Sequence, residues 1–238
     1  MAEPSRRAGV LGQPIAHSLS PVLHRAAYAA LGLPWRYDAI ECGETDLARM
    51  LDVRRDWAGF SCTMPLKRVL LSVADEVRPV AAAVGAGNTL LPRPGGGWIA
   101  DNTDLAGVAG SLAEACVVPS SVSVLGAGGT AQAVVGALAR IDVRRCTVLV
   151  RDPSRAEVLR RTADTFGVAL DVAALDVLAP ELGAELVVST LPPGAADPLA
   201  AAAWRPGQTV LDVVYEPWPT PLAAAAHQAG ATVLSGAL

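Results

Sequence analysis

The chain has 238 residues, of which 52% are hydrophobic and 18% are charged, and its formal net charge at pH 7 is −4. This length and composition predict a soluble globular protein of one or two domains and exclude an intrinsically disordered chain. The scattered charges exclude a basic surface for nucleic acid or anionic lipid, and no apolar run approaches the ~20 residues of a membrane-spanning helix.

The first predicted strand, Ala8–Gly12, leads into a loop that contains Ser18 and Ser20. Ser20 followed by Pro21 predicts the start of a helix that runs to about residue 31, because serine is a favoured N-cap and proline a favoured first helical residue. Two hydroxyls at this position either cap the helix or bind a small carboxylate. The apolar residues with helical spacing, which we expect on the inner face, are Val22, Leu23, Ala26, Ala27, Ala30 and Leu31.

The single lysine of the chain, Lys67, is the first candidate for acid–base chemistry. A strand (35–42), a helix (45–55) and a second strand (57–62) are predicted before the segment Thr63–Lys67. Pro65 predicts a helix start that puts Lys67 in the first turn, where the helix dipole disfavours a cation and eases loss of its proton. The other basic residues among the 19 lysines and arginines are all arginines, which keep their proton near neutral pH. Lys67 is therefore either a general acid–base or an ordinary surface lysine.

The two asparagines of the chain, Asn88 and Asn102, lie in the arms of a predicted β-hairpin. The arms are residues 85–91 and 98–104, and the connection between them is rich in proline and glycine. The second arm ends at Asp104, just before a predicted helix that runs to about residue 116. Asp104 is therefore either the N-cap of that helix or a chemically active carboxylate.

Residues Val122–Leu125 predict a short strand, and a glycine-rich turn and an apolar helix follow it. The turn contains Gly126, Gly128 and Ala131 in the spacing G-x-G-x-x-A, which in this strand–helix context is typical of dinucleotide binding. The first glycine permits the tight turn, the second lets the backbone approach the diphosphate, and the free N–H groups of the helix hold the phosphates. The alternative is a small-residue turn without a ligand.

The next predicted strand, residues 146–150, ends in Arg151, Asp152 and Arg155. Arginine at this position accommodates the 2′-phosphate of NADP, whereas an acidic residue binds the ribose hydroxyls of NAD. Both residue types are present here. Arg151 and Arg155 favour NADP, whereas NAD would be favoured if Asp152, rather than Arg151, occupied the position at the strand end.

The remainder of the chain alternates between strands and helices. The predicted strands are 168–173, 185–190, 209–214 and 231–234, and the predicted helices are 153–166 and 221–228. This alternation favours an α/β fold with a parallel, doubly wound sheet.

The four cysteines have spacings that fit no metal site, so we predict none. The N-terminal stretch 1–7 is polar, unlike a signal peptide. Reduced thiols and a cytoplasmic location are therefore expected.

Taken in order, these motifs resemble the shikimate dehydrogenase family over nearly the whole chain. The matching segments are 18–21, 63–67, 87–89, 102–104, 126–131, 189–192 and 212–217. The resemblance implies an N-terminal α/β substrate-binding catalytic domain at residues 1–104 and a C-terminal Rossmann-type NADP-binding domain at 105–234. It also implies that residues 235–238 begin a segment that returns to the first domain, and that substrate binds in the cleft between the domains.

The implied activity is the NADP-dependent reduction of 3-dehydroshikimate to shikimate, a step in the biosynthesis of chorismate and the aromatic amino acids. Lys67 and Asp104 would be the catalytic pair. The implied substrate-binding residues are Ser18, Ser20, Thr63, Asn88, Asp104 and Tyr215. The implied NADP-binding residues are Gly126, Ala127, Gly128, Gly129, Thr130, Ala131, Arg151, Arg155 and Val213. The implied partner is a small-molecule substrate, and we expect a monomer or homodimer.

The sequence departs from the family pattern at several positions. Val150 stands where asparagine is usual, Gln132 replaces a common arginine, and Cys62 and Gly87 replace valines. Family members also continue past residue 236 with a substrate-binding glutamine that has no counterpart here. Alternatives are a quinate or aminoshikimate dehydrogenase, with NADP or NAD, a non-catalytic dinucleotide sensor, and a methylenetetrahydrofolate-type dehydrogenase, which fits the paired serines less well.

Overall fold

The computed structural model describes residues 6–236, and the chain divides into two compact units. The first unit ends at Thr103 and the second begins at Asp104. The polar N-terminal stretch is described only from residue 6 onward, and the last two residues of the predicted C-terminal segment lie outside the described residues. Of the helices within residues 6–236, none has the length and apolar character needed to cross a membrane.

The first unit contains a six-stranded mixed sheet with the order β2-β1-β3-β5-β6-β4. Its elements are β1 (Arg6–Gly12), α1 (Ser20–Ala30), β2 (Trp35–Glu41), α2 (Leu47–Asp52), β3 (Gly59–Cys62), α3 (Leu70–Val73), β4 (Glu76–Val77), α4 (Pro79–Val84), β5 (Thr89–Pro92) and β6 (Trp98–Asp101). Strand β1 pairs in parallel with β2 and β3, whereas β5 pairs antiparallel with β3 and β6. The predicted hairpin is therefore confirmed, and the sheet of this unit is mixed rather than wholly parallel.

A cluster of aromatic residues packs against this sheet and stabilises strand β3 and the hairpin of β5 and β6. The Phe60 ring stacks on Trp57 with centroids 5.0 Å apart and lies 5.3 Å from Trp98. Leu66 and Leu90 are fully buried in the same cluster. Burial of this apolar surface stabilises the packing of β3 against the hairpin.

The predicted inner face of α1 is wrong. Val22 and Leu23 are 65% and 63% exposed, whereas His24 and Tyr28 face the sheet. The His24 ring stacks on Tyr37 of β2 with centroids 3.9 Å apart and an interplanar angle of 14°. Because stacked aromatic contacts bury more area than alanine and valine side chains, they set the rotation of this helix.

This difference gives a direct test with two leucines of the same unit. Leu23→Ala is expected to change the free energy of unfolding by less than ~0.5 kcal/mol, as an exposed substitution does. Leu47→Ala removes a fully buried side chain, and we expect it to cost ~2–5 kcal/mol. Urea unfolding of both variants measures the two values, and similar costs would contradict the observed helix rotation.

Strand β2 is one of the two outer strands of the first sheet, and a side chain from α1 covers part of it. Arg25 donates from Nε and Nη2 to the carbonyl oxygen of Tyr37, at 2.9 and 2.7 Å. Arg36 and Asp38 form an ion pair on the same strand at 2.7 Å. The edge is therefore charged, and one of its carbonyl groups already has donors.

The second unit contains a six-stranded, wholly parallel sheet with the order β12-β11-β10-β7-β8-β9. Its elements are α5 (Asp104–Glu114), β7 (Val122–Leu125), α6 (Gly129–Arg140), β8 (Arg145–Val150), α7 (Glu157–Phe166), β9 (Ala169–Ala174), β10 (Leu186–Ser189), β11 (Thr209–Asp212), α8 (Pro221–Gln228) and β12 (Thr232–Ser235). The strand order reverses between β7 and β10, which is the arrangement of a dinucleotide-binding Rossmann fold. The predicted α/β fold class, with a doubly wound parallel sheet in this unit, is confirmed.

Helix α6 is buried on almost every side, and its composition explains how this is possible. Ala131, Ala133 and Ala137 are fully buried, which lets the helix lie close to its neighbours. Gln132 is also fully buried, and its amide donates to Thr162 Oγ1 of α7 at 3.0 Å. Small side chains and one satisfied amide therefore hold the start of α6 against the sheet.

Candidate active site

Backbone hydrogen bonds tie three loops together at the carboxyl ends of β1 and β3. Thr63 N donates to the carbonyl of Leu11 at 2.9 Å, and Cys62 N donates to the carbonyl of Asn88 at 2.7 Å. Thr63 and Asn88, both predicted substrate contacts, therefore lie together at the carboxyl ends of β1 and β3. The loop after β1 joins them, since Gln13 N donates to the carbonyl of Met64 at 2.9 Å.

The loop after β1 presents Ser18 and Ser20, which are both partly buried. Glu41 fixes the loop by accepting a hydrogen bond from the Ile15 amide at 3.0 Å. Ser18 Oγ accepts from the amide of Ser20 at 3.3 Å. The expected capping role of Ser20 is wrong, because Leu19 occupies the N-cap position and its side chain makes no capping bond. The hydroxyl of Ser20 is therefore not committed to capping α1.

Lys67 lies at the same edge, but its local structure differs from the prediction. Residues 64–69 form consecutive turns, and α3 begins only at Leu70. Lys67 is thus not in the first turn of a helix, and the helix-dipole argument does not apply to it. Its carbonyl accepts from the amide of Gly87 at 2.7 Å, which fixes the lysine beside the first hairpin arm. The side chain is partly buried.

The two asparagines lock the arms of the hairpin. Asn88 Nδ2 donates to Thr103 Oγ1 at 2.8 Å, and the Thr103 amide donates back to Asn88 Oδ1 at 3.0 Å. Asn102 is 5% exposed, and its amide donates to the carbonyl of Ala86 at 2.9 Å. These bonds fix Thr103, and Asp104 follows as the first residue of α5 in the second unit.

Sequence reasoning missed a hydrogen-bonded pair of hydroxyls that connects β2 to β3 across β1. Tyr37 OH donates to Ser61 Oγ at 2.7 Å, and Tyr37 is only 2% exposed. Burial raises the pKa of Tyr37 to about 12, while the hydroxyls of Ser61 and Ser20 oppose the rise. Tyr37 therefore stays a neutral hydrogen-bond donor at physiological pH. No sequence signal marks this pair, because each residue alone is typical of an ordinary strand position.

Gly12, at the end of β1, leaves room for the Thr63 loop. A Cβ at this position would overlap the Thr63 methyl group and lie 2.9 Å from the carbonyl oxygen of Met64. We expect Gly12→Ala to destabilise the protein by ~1–3 kcal/mol, because overpacking forces neighbouring atoms to shift. Gly107→Ala on α5 is the control, since its Cβ would meet no described atom within 4 Å. Thermal unfolding distinguishes the two, and equal melting temperatures would contradict the close packing at Gly12.

In the second unit, the glycine turn between β7 and α6 has the geometry that phosphate binding needs. Gly126 has φ +96°, and a Cβ there would lie 2.9 Å from Thr190 Oγ1. At Gly128 a Cβ would meet no described atom within 4 Å, so the backbone is open to a ligand. Ala131 is fully buried against the sheet. The turn therefore leaves space for an anion at the positive end of α6, where the first N–H groups of a helix can bind it.

The end of β8 separates the roles of its acidic and basic residues. Asp152 accepts hydrogen bonds from the amide and hydroxyl of Ser154, at 3.0 and 2.8 Å. These bonds lower the pKa of Asp152 and make it the cap of the short turn 153–156. Arg151 and Arg155 flank the cap with exposed side chains. The carboxylate is thus engaged in the turn, which favours the interpretation in which the arginines meet the cofactor.

Val213 and Tyr215 follow β11 at the same carboxyl edge of the second sheet. The Val213 amide donates to the carbonyl of Ser189 at 3.1 Å, and both predicted residues are partly buried. Since β7, β10 and β11 are parallel, this segment and the glycine turn share one edge of the sheet. This is where a doubly wound sheet binds its ligand.

Comparison with known proteins separates the two units in the same way. Residues 10–90 match the family model described as the shikimate dehydrogenase substrate binding domain, and residues 122–234 match the saccharopine dehydrogenase NADP binding domain. A relative named shikimate dehydrogenase (NADP(+)), from Sphingopyxis alaskensis, is 35% identical over 218 residues, covering 90% of this chain and 78% of the relative. The chain belongs to the shikimate dehydrogenase family.

Two solved structures resemble this shikimate dehydrogenase family member over nearly its whole length. The Mycobacterium tuberculosis shikimate dehydrogenase is 44% identical with a TM-score of 0.82, covering 97% of this chain and 87% of that one. The Thermus thermophilus enzyme, in complex with NADP(H) and shikimate, is 33% identical with a TM-score of 0.80, covering 97% and 87%. The substrate-domain match of this shikimate dehydrogenase family member spans Ser18, Ser20, Thr63, Lys67 and Asn88.

Proposed function

We propose that the chain catalyses the NADP-dependent, reversible reduction of 3-dehydroshikimate to shikimate. The observation that carries this proposal is the open glycine turn with two exposed arginines in one unit of a shikimate dehydrogenase family member. Residues 1–104 would bind the substrate and residues 105–234 the cofactor. The dehydrogenases of quinate and aminoshikimate gain no support from a specific contact among the described residues.

The substrate-binding residues would act through hydroxyl and amide groups that the fold already holds in place. Ser18 and Ser20, together with Tyr215, would bind the substrate carboxylate, and Thr63 and Asn88 would contact the ring hydroxyls. The bonds of Ser18 and Asn88 within the first unit restrict these side chains before the substrate arrives. This lowers the entropy lost on binding.

Lys67 and Asp104 would carry the proton transfer. When NADPH is bound, it supplies a hydride to the carbonyl carbon of the ring ketone. The Lys67 ammonium would stabilise negative charge on the substrate oxygen and would donate the proton that forms the alcohol. Asp104 would orient the lysine and accept a hydrogen bond from the substrate hydroxyl. In the reverse direction, the proton of the alcohol would return to the Lys67 amine.

Each group of cofactor-binding residues would bind a different part of the dinucleotide. The turn formed by Gly126, Ala127, Gly128, Gly129, Thr130 and Ala131 would hold the diphosphate at the start of α6. Arg151 and Arg155 would bind the 2′-phosphate through their paired N–H groups. Val213 would lie beside the nicotinamide.

The test is a turnover assay that crosses shikimate and quinate with NADP and NAD. We expect shikimate with NADP to give the highest kcat/KM of the four pairs. A higher value for quinate would replace the proposed substrate, and a higher value for NAD would remove the role given to Arg151 and Arg155. Absence of turnover with all four pairs would favour a non-catalytic dinucleotide sensor.

We also propose a cytoplasmic location and a monomeric or homodimeric state. The four cysteines are free thiols, and three of them, Cys42, Cys62 and Cys146, are buried. Free thiols are typical of a reducing compartment. Sedimentation analysis of the purified protein measures the oligomeric state.

A further inference from the structure

Asp212 is a buried carboxylate whose role the proposed chemistry leaves open. It ends strand β11 and is 1% exposed. Its Oδ2 accepts a hydrogen bond from the hydroxyl of Thr220 at 2.7 Å, and its Oδ1 accepts from the amide of Val214 at 3.2 Å. One carboxylate therefore binds both the beginning and the end of the loop 213–219.

Thr220 connects this carboxylate to helix α8. Its hydroxyl donates to Asp212 and accepts from the amide of Ala223 at 3.1 Å, as the N-cap of the helix. Thr220 is itself 5% exposed. The far end of the loop is thus fixed to a helix that packs on the same sheet.

Two further contacts surround the same position. Ser189 lies in register with Asp212 on the neighbouring strand, and its hydroxyl is fully buried. This hydroxyl makes no hydrogen bond of standard geometry within residues 6–236, yet it lies close enough to help lower the pKa of Asp212. Gly236 N donates to the carbonyl of Asp212 at 2.8 Å, and a Cβ on Gly236 would lie 2.7 Å from the Val213 Cα.

The energetic cost of this arrangement indicates what it is for. Burial raises the pKa of Asp212, and the hydrogen bonds from Thr220 and Val214, together with the nearby hydroxyl of Ser189, only partly oppose the rise. These hydrogen-bond donors are neutral, and a buried carboxyl group held by neutral donors alone is expensive for a folded protein. An apolar residue would pack here at lower cost, but it could not bind the two ends of one loop.

We propose that Asp212 is a positioning residue, which holds the loop 213–219 so that Val213 and Tyr215 face the nicotinamide and the substrate carboxylate. This inference rests on the proposed function, since that function assigns the roles of Val213 and Tyr215. Asp212 acts through the loop and touches neither ligand. The glycine turn and Arg151 depend on other strands, so the adenosine end of the cofactor site is independent of Asp212.

The test compares the two ends of the cofactor site in Asp212→Ala. We expect kcat for shikimate oxidation to fall by ~10–100-fold and the KM for shikimate to rise, because displacing a positioning group by about 1 Å has effects of this size. The inhibition constant of 2′,5′-ADP, which occupies only the adenosine end, should stay within ~2-fold of the wild-type value. A parallel loss of 2′,5′-ADP binding would show that Asp212 supports the whole domain and would overturn the proposal, as would an unchanged kcat.

A pair of substitutions at Thr220 covers the case in which Asp212→Ala does not fold. Thr220→Ser keeps the hydroxyl, so its kcat should stay within ~2-fold of the wild-type value. Thr220→Val removes the hydrogen bonds of the hydroxyl with Asp212 and with the Ala223 amide, and it should lower kcat as much as Asp212→Ala does. Equal kcat values for the two Thr220 variants would overturn the proposal.

Hydrogen–deuterium exchange separates this inference from the proposed function, because it needs no turnover. In Thr220→Val, the amides of residues 213–219 should exchange faster while those of 126–131 keep the wild-type rate. If the wild type oxidises no substrate, the proposed function fails, and this exchange pattern alone decides whether the loop is held. Unchanged exchange in 213–219 would overturn the loop role.

Discussion

Lys67→Ala is expected to lower kcat by ~10²–10⁴-fold, the contribution of a positioned general acid–base. The KM for NADPH should stay near the wild-type value, because the glycine turn and Arg151 belong to the other unit. The melting temperature should change little, since the Lys67 side chain is only partly buried. Steady-state kinetics and thermal unfolding measure these effects.

Lys67→Arg is the matched control, because it keeps the positive charge but cannot release a proton near neutral pH. If the lysine acts only by its charge, this variant keeps most of the activity. If it transfers a proton, the variant is nearly as slow as Lys67→Ala. Turnover close to wild type in Lys67→Ala would remove the residue from the mechanism.

Arg151→Ala is expected to raise the KM for NADPH by ~10–100-fold, the effect of losing a hydrogen bond between charged groups. The KM for NADH should change by less than ~2-fold, because NADH lacks the 2′-phosphate. The prediction follows from the end of β8, where the Asp152 carboxylate caps the turn 153–156 and Arg151 remains exposed. Initial rates with each cofactor provide the measurement.

Arg145→Ala, at the other end of the same strand, is the control for this change. Its guanidinium is bonded to Asp171 at 2.7 and 3.2 Å, so removing it alters the net charge equally without touching the proposed site. We expect no shift in the preference for NADPH over NADH. A comparable loss for both cofactors in Arg151→Ala would count against a 2′-phosphate site.

The second unit was predictable because its signals are local in sequence. The strand, the glycine turn and the helix around Gly126 follow one another directly, and each contributes its own residue preference. The strands from β7 to β12 were placed within two residues of their observed ends. The central strands β7, β10 and β11 are short, mostly apolar runs in a buried parallel sheet.

The first unit was harder because its packing depends on distant partners. Helix α1 rotates toward His24 and Tyr28 because Tyr37, on the next strand, stacks on His24. The helix predicted at 45–55 is a short 3-10 turn, Glu44–Asp46, followed by the six-residue α2. Proline at 65 starts a run of turns rather than a helix, and periodicity alone cannot distinguish the two.

The residues of the candidate site also differ in whether local sequence or distant contacts identify them. Residues within motifs, such as Lys67 and Gly128, could be named from the sequence, although their roles remain predictions. Tyr37 could not, because its contact with Ser61 spans 24 residues and depends on strand register. Asp212 was visible as a polar residue in an apolar run, but only the fold shows that it binds both ends of one loop.

The hydrogen bonds from Arg25 to the Tyr37 carbonyl have a consequence beyond this one chain. An exposed outer strand offers unsatisfied amides and carbonyls that another molecule can pair with, which is how many proteins begin to form fibrils. A guanidinium that occupies one acceptor of β2 interrupts that ladder, and an incoming strand would have to remove water from the ion pair of Arg36 and Asp38. We therefore expect this outer strand to be a poor template for association between copies at high concentration.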